Sequence, residues 1–138
     1  MENTNKATYC DTSSGVICAP GQQYYGRGPI QLTWNYHYKA AGDALGFDGI
    51  NNPGIVASNA VISFKTAIWF WMTQSSPTCH SAMVNGYGFG ATINAINGRF
   101  ECGTNSSNPP VQQQQQRIQL YRSYCSTLGV NPGPNLNC

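Results

Sequence analysis

The segment spanning residues 59–72 constrains the fold more than any other part of the chain. It carries Val61, Ile62, Phe64, Ile68, Trp69, Phe70, Trp71 and Met72, which cover nearly every side of a 3.6-residue helix. An apolar stripe marks a surface helix, whereas apolar residues all round mark a buried one. The segment is therefore expected to be the buried centre of the fold, with Ser58 or Asn59 as its N-cap. Lys65 lies in its middle, on the same face as Val61, Ile62, Ile68, Trp69 and Met72. An ammonium held there needs a partner. Two readings follow: an ion pair with a carboxylate, or a cation that lines a wet cleft and touches a ligand.

Other elements arrange themselves around this helix. Residues 1–23 show no periodicity and read as a stapled loop. A helix over 33–45 has Thr33 as N-cap and Gly46 in the left-handed closing position, and residues 47–54 form a turn region. A polar, Gly-rich connection covers 73–90, and a short helix over 91–97 ends at Gly98. The last helix starts at Pro109 or Pro110 and reaches Leu128, with Gly129 as its stop. Its core face is Val111, Gln114, Ile118, Tyr121, Cys125 and Leu128, and the glutamine run 112–116 reads as an exposed turn and a half. No stretch alternates with period two, so a mainly α, single domain is expected.

Charged residues make up only 9% of the chain, against roughly 25% in an average globular protein. The net charge of +2 is spread without a basic cluster, which argues against nucleic acid and anionic membrane as partners. No apolar run spans a bilayer, and the polar start Glu2-Asn3-Thr4-Asn5-Lys6 has no signal-peptide character. The six cysteines at 10, 18, 79, 102, 125 and 138 form no C-x-x-C pair, and His37 and His80 have no zinc-like spacing. No metal site and no cofactor are expected. Disulfides suit the pattern better, and with them an exported protein. Cys10 and Cys18 are close enough for a local loop, and Cys138 can anchor the tail. The triplet Asn105-Ser106-Ser107 is a compatible sequon.

Residues 24–38 combine Trp34, Tyr24, Tyr25, Tyr36, Tyr38 and His37 with Arg27, Gln31, Thr33 and Asn35. Rings give flat apolar faces to a pyranose, and neutral polar groups bond its hydroxyls and acetamido groups. The stretch therefore suits an uncharged sugar. Hydrolysing a glycosidic bond needs two carboxyl groups, and the chain has only Glu2, Asp11, Asp43, Asp48 and Glu101. Asp43 and Asp48 flank a surface helix end and Asp11 has no distinguishing context, which leaves Glu2 and Glu101.

These residues carry a family resemblance. The segment 24–38, the helix Phe64-Lys65-Thr66-Ala67-Ile68-Trp69-Phe70-Trp71-Met72, the turn Ile96-Asn97-Gly98 with Glu101-Cys102, the run Tyr121-Arg122-Ser123-Tyr124-Cys125 and the tail to Cys138 resemble plant family 19 chitinases. The short connection after Met72 is most similar to the loop-deleted class IV members. The resemblance implies a mainly α, lysozyme-like catalytic domain, of which residues 1–138 are a fragment. It implies inverting cleavage of β-1,4-linked N-acetylglucosamine polymers, a role in plant defence, a secreted or vacuolar location and a monomer that binds chitin and its oligomers.

Position by position, Glu2 matches the general base, Glu101 and Arg117 the pair that orients it, and Thr33 a hydroxyl that holds the attacking water. Gln31, Tyr36, Lys65 and Asn97 match sugar-contacting positions, which tilts Lys65 toward the cleft, and Tyr25 joins them as a substrate-binding candidate. His37 stands where the family usually has a sugar-binding asparagine. The family's general acid, in a His-Glu-Thr motif upstream of the Glu2 position, has no counterpart in this chain. Two expectations follow: a chitinase that is hydrolytic when complete, or a chitinase-like protein that binds chitooligosaccharides without cleaving them. The likeness further implies disulfides Cys10–Cys18 and Cys102–Cys138, leaving Cys79 and Cys125. It also places Lys65 and Arg117, both partly buried, in one cleft with Gln31 and Asn97.

Overall fold

The computed structural model describes residues 8–103 and 109–138. The described chain is helical, with α1 at Asn35–Leu45, α2 at Ile55–Ser58, α3 at Ala60–Thr73, α4 at Cys79–Val84, α5 at Phe89–Glu101 and α6 at Pro109–Thr127. Among the described residues the extended backbone amounts to a single antiparallel bridge, Arg27 to Leu32. The mainly α expectation holds. Two compact units are formed, one ending at Phe70 and one beginning at Trp71, and no helix among the described residues is long and apolar enough to cross a membrane.

In the first unit the loop before α1 is fixed by covalent and polar ties. Cys10 and Cys18 are disulfide-bonded. Asn35, fully buried at the start of α1, accepts from the Asp11 amide at 2.9 Å and donates to the carbonyls of Asp11 at 3.1 Å and Val16 at 2.8 Å. The core beneath is Tyr24, Leu32, Tyr38, Ala41 and Val56. Helix α1 contributes Tyr38 and Ala41, three residues apart on one face, and ends at Gly46 in the expected left-handed conformation. Its N-cap is Trp34 at φ 76°, not Thr33. The Thr33 hydroxyl is already committed, donating to the Gln31 carbonyl at 2.7 Å.

Helix α3 departs from expectation. Asn59 caps it through its side chain, which accepts from the Ile62 amide at 3.1 Å, but Thr66 is its one buried residue. Ile62 and Trp69 pack against the first unit's core. On the opposite side Val61, Phe64 and Ile68 are 64%, 63% and 64% exposed. Lys65 is exposed too, which corrects both the buried-centre reading of the helix and the expected partial burial of this lysine. An all-round apolar pattern states what each face would gain by burial; it does not supply a second surface to cover it.

The second unit packs α4 and α6 against α5. Its core is Ile93, Ile118 and Leu136, with Phe89 and Tyr121 beside them. The expected face of α6 is buried at Val111, Gln114, Ile118 and Cys125, while Leu128 at its end is exposed. Cys102 and Cys138 are disulfide-bonded, and Cys79 and Cys125 are free and buried. Burial pushes the Cys79 thiol pKa up. The tail lies directly on α5: the Gly90 amide donates to the Asn135 carbonyl at 2.9 Å, and a Cβ at Gly90 would sit 1.9 Å from the Asn137 carbonyl oxygen. Because that neighbour is backbone held by the adjacent disulfide, Gly90→Ala is expected to cost about 1–3 kcal/mol. Gly54→Ala, whose Cβ would meet nothing nearer than 3.9 Å, serves as control. Equal thermal midpoints for the two variants would contradict this.

Candidate active site

Glu101 is the most constrained polar group in the second unit. It closes α5, is 0% exposed, and its carboxylate accepts from Arg117 Nε at 2.7 Å, Arg117 Nη2 at 3.0 Å and Asn97 Nδ2 at 2.8 Å. Arg117 projects from α6 with its side chain 48% exposed. The bidentate fork fixes the guanidinium plane and leaves other N–H groups free to meet a ligand. Asn97 reaches Glu101 because α5 is broken there, with φ −148° and ψ 27°. The short helix expected to end at Gly98 thus continues past a kink that aims one amide at the carboxylate. From below, Gln114 donates to the Glu101 carbonyl at 2.7 Å and accepts from the Cys138 amide at 3.3 Å.

This polar edge borders a cavity of about 300 Å³ whose other walls include Trp71, Phe89, Ile96, Leu120, Tyr121 and Tyr124. Phe89 and Tyr121 stack at 4.1 Å, 4° from parallel. The Tyr121 phenol pKa is raised, first by burial and then by Cys125. Apolar rings beside a fixed fork of donors suit a ligand with flat hydrocarbon faces and hydroxyls.

In the first unit the aromatic segment divides into two roles. Tyr24 and Tyr38 belong to the core and are unavailable to a sugar, correcting the reading of all six rings as a platform. Their hydroxyls are satisfied inside: Tyr24 donates to the Ile50 carbonyl at 3.0 Å and accepts from the Ala19 amide at 2.9 Å, and Tyr38 donates to the Tyr25 carbonyl at 2.8 Å. Arg27 is buried, donating to the Gln23 carbonyl and the Tyr38 hydroxyl, both at 2.9 Å, and lying 3.8 Å over the Tyr25 ring. The groups left toward solvent are Tyr25 and Gln31, with Thr33, Trp34, Tyr36 and His37 partly so. Trp34 and Tyr36 stack at 6.3 Å, and His37 stands edge-on to Tyr36 at 4.5 Å and to Phe70 at 6.1 Å. Gln31 at φ 55° and Trp34 at φ 76° adopt the left-handed region, which costs of order 1–3 kcal/mol each for non-glycine residues. Two such residues within four positions fit a turn shaped for a ligand.

The structure thus gathers Glu101, Arg117 and Asn97 in one unit, and Gln31, Thr33, Tyr36 and His37 in the other. Lys65 lies on the exposed side of α3, and Glu2 lies outside the described residues, as does the Asn105 sequon. Each described carboxylate is engaged as an acceptor: Asp11 from Ser13 at 2.9 Å, Asp43 from Lys39 at 2.7 Å, Asp48 from the Asn51 amide at 2.9 Å, and Glu101 as above. A more open hollow of about 730 Å³ near Asp43 and Asp48 is also lined by Lys39, which is paired with Asp43. Sequence reasoning missed the ring-lined cavity, whose signal was the spacing of Leu120, Tyr121 and Tyr124 along α6.

Comparison with known proteins gives one consistent answer. The family 19 glycoside hydrolases, described as chitinase class I, match over residues 1–138. An endochitinase of Solanum tuberosum is 47% identical over 152 residues, covering 99% of this chain and 45% of the relative. Endochitinase B of Zea mays is 53% identical over 140 residues, covering 100% and 46%. The chain therefore spans under half the length of these relatives. Among solved structures, the class IV chitinase of Zea mays is similar at TM-score 0.80 and 50% identity, over 99% of this chain and 63% of its own. Chitinase C of Streptomyces griseus is similar at 0.87 and 46%, over 100% and 66%. With a match along its whole length, at half-identity and with the same helical backbone, the chain belongs to glycoside hydrolase family 19.

Proposed function

We propose that the protein acts on chitin, as an endochitinase that hydrolyses β-1,4-linked N-acetylglucosamine with inversion, secreted in plant defence and working as a monomer. The observation that carries this reading is the Asn97–Glu101–Arg117 assembly beside a ring-lined cavity, in a family whose relatives are named endochitinases. In the proposed mechanism Glu2 is the base that activates water, Arg117 and Glu101 orient it, and Thr33 steadies the water. Tyr25, Gln31, Tyr36, His37, Lys65 and Asn97 contact the sugar. Residues 1–138 form one fragment of the catalytic domain.

Inversion needs an acid opposite the base. Glu101 accepts three hydrogen bonds spread over both its oxygens, and in this reading no described carboxylate serves as the proton donor to a leaving oxygen. The 138 residues alone are expected to bind N-acetylglucosamine oligomers weakly and to hydrolyse chitohexaose at least about 10²-fold more slowly than a full-length relative. Calorimetry with chitotetraose and a hydrolysis assay with chitohexaose test the two halves. Gln31→Ala and Tyr36→Ala should each weaken binding several-fold. Absence of binding by the unsubstituted chain overturns the sugar reading, and full-rate hydrolysis abolished by Glu2→Gln overturns the missing-acid reading.

A further inference from the structure

The His37 ring nitrogen Nδ1 lies 2.9 Å from the Thr33 carbonyl oxygen. A carbonyl only accepts, so this contact requires the proton to be on Nδ1. A neutral imidazole carries one N–H, which leaves Nε2 as a bare acceptor. The same Thr33 donates its hydroxyl to the Gln31 carbonyl at 2.7 Å, so Thr33 is held from both ends. It sits inside the left-handed turn from Gln31 to Trp34. His37 thus braces the strained turn from the first turn of α1.

We propose that His37 is a positioning and specificity-determining residue, which clamps the Gln31–Trp34 turn through Nδ1–H and offers Nε2 as an acceptor to a sugar acetamido N–H, so that acid removes the acceptor. This rests on reading residues 24–38 as part of the sugar-binding surface. The surroundings favour the neutral ring. Burial pushes the His37 pKa below its ordinary value, opposed only by the Thr33 hydrogen bond. The titratable neighbour on α1 is Tyr36, whose phenol pKa is raised by burial and then by Asp11. On α3 the contact is Phe70, which is uncharged, and that helix's only cation, Lys65, is exposed five residues earlier.

The sign follows directly. Unfolded chain protonates its histidine near pH about 6.5, while the folded ring resists, so the neutral ring's contribution to stability is complete above that value. It is lost as pH falls through the lower folded value. In the folded protein that same protonation turns Nε2 from acceptor to donor and places a charge in the turn.

Long-range proton–nitrogen NMR on the 138-residue protein at about pH 7 should show Nδ1 protonated and Nε2 bare. Chitotetraose should shift Nε2, and its affinity should fall about 10-fold on acidification, the size of one lost hydrogen bond. His37→Gln, which keeps an acceptor but cannot titrate, should bind with a flat pH profile; His37→Phe should bind weakly at every pH. An Nε2–H tautomer, or the same pH profile for His37→Gln and the unsubstituted protein, overturns this proposal alone. Failure of the unsubstituted protein to bind chitotetraose at any pH overturns the sugar-site reading together with it.

Discussion

Arg117→Met is expected to lower stability by about 2–4 kcal/mol, and Glu101→Gln by less, although both break the same ion pair. The asymmetry comes from where each charge sits. Glu101 is wholly buried, so losing Arg117 strands a carboxylate with only the Asn97 amide near it. Arg117 is half-exposed, so its guanidinium can turn to water when Glu101 becomes an amide, and its own loss is discounted accordingly. Adding Glu101→Gln to Arg117→Met should therefore restore part of the loss, because a neutral amide is cheaper to bury than an unpaired anion. Denaturant titration of the two single variants and the double one tests this. Equal costs for the single variants, or a double variant no better than Arg117→Met, would mean that Glu101 reaches water in a way its burial does not suggest.

How much of this was legible in the sequence depends on what kind of physics wrote each feature. Gly46 and Gly129, both left-handed at the end of a helix, were readable because only local backbone sterics decide them. The buried face of α6 was readable at Val111, Gln114, Ile118 and Cys125 because the pattern of three and four needs no knowledge of the partner. Family likeness supplied both disulfide pairings and the Glu101–Arg117 pair, and the structure contains them.

The misses share a different cause. Tyr24 and Tyr38 have the same composition as a sugar platform, and whether a ring faces a core or a ligand is set by distant residues such as Ile50 and Val56. Helices α2 and α4 have 4 and 6 residues, too short for local propensity to hold them without tertiary contacts. On α3 the exposed Val61, Phe64 and Ile68 show the limit most plainly. Transfer energy fixes which surfaces are apolar, not which of them meet another surface. The same limit applies to Lys65, whose burial was inferred from a face on which Val61, Ile68 and Met72 are themselves exposed.

Replacing Cys102 and Cys138 together by serine is expected to have the largest effect of all, about 4 kcal/mol on the chain-entropy model. The pair closes a loop with a sequence separation of 36, against 8 for Cys10–Cys18, and the shorter loop is worth only about 2–3 kcal/mol on the same model. Local packing points the same way. The tail that Cys138 anchors puts Leu136 into the second unit's core with Ile93 and Ile118 and lies against Gly90. Cys102 follows Glu101 directly, and Gln114 ties the Glu101 carbonyl to the Cys138 amide. Releasing this disulfide therefore loosens the tail and the seat of the candidate active site together, whereas releasing Cys10–Cys18 loosens the loop that Asn35 already holds. Guanidinium titrations of the two double-serine proteins, with the oxidised unsubstituted protein as reference, decide the ranking. A larger loss from removing Cys10–Cys18 would show that the first unit depends on its short loop more than the entropy of closure allows, and that the tail is held by its packing and hydrogen bonds alone.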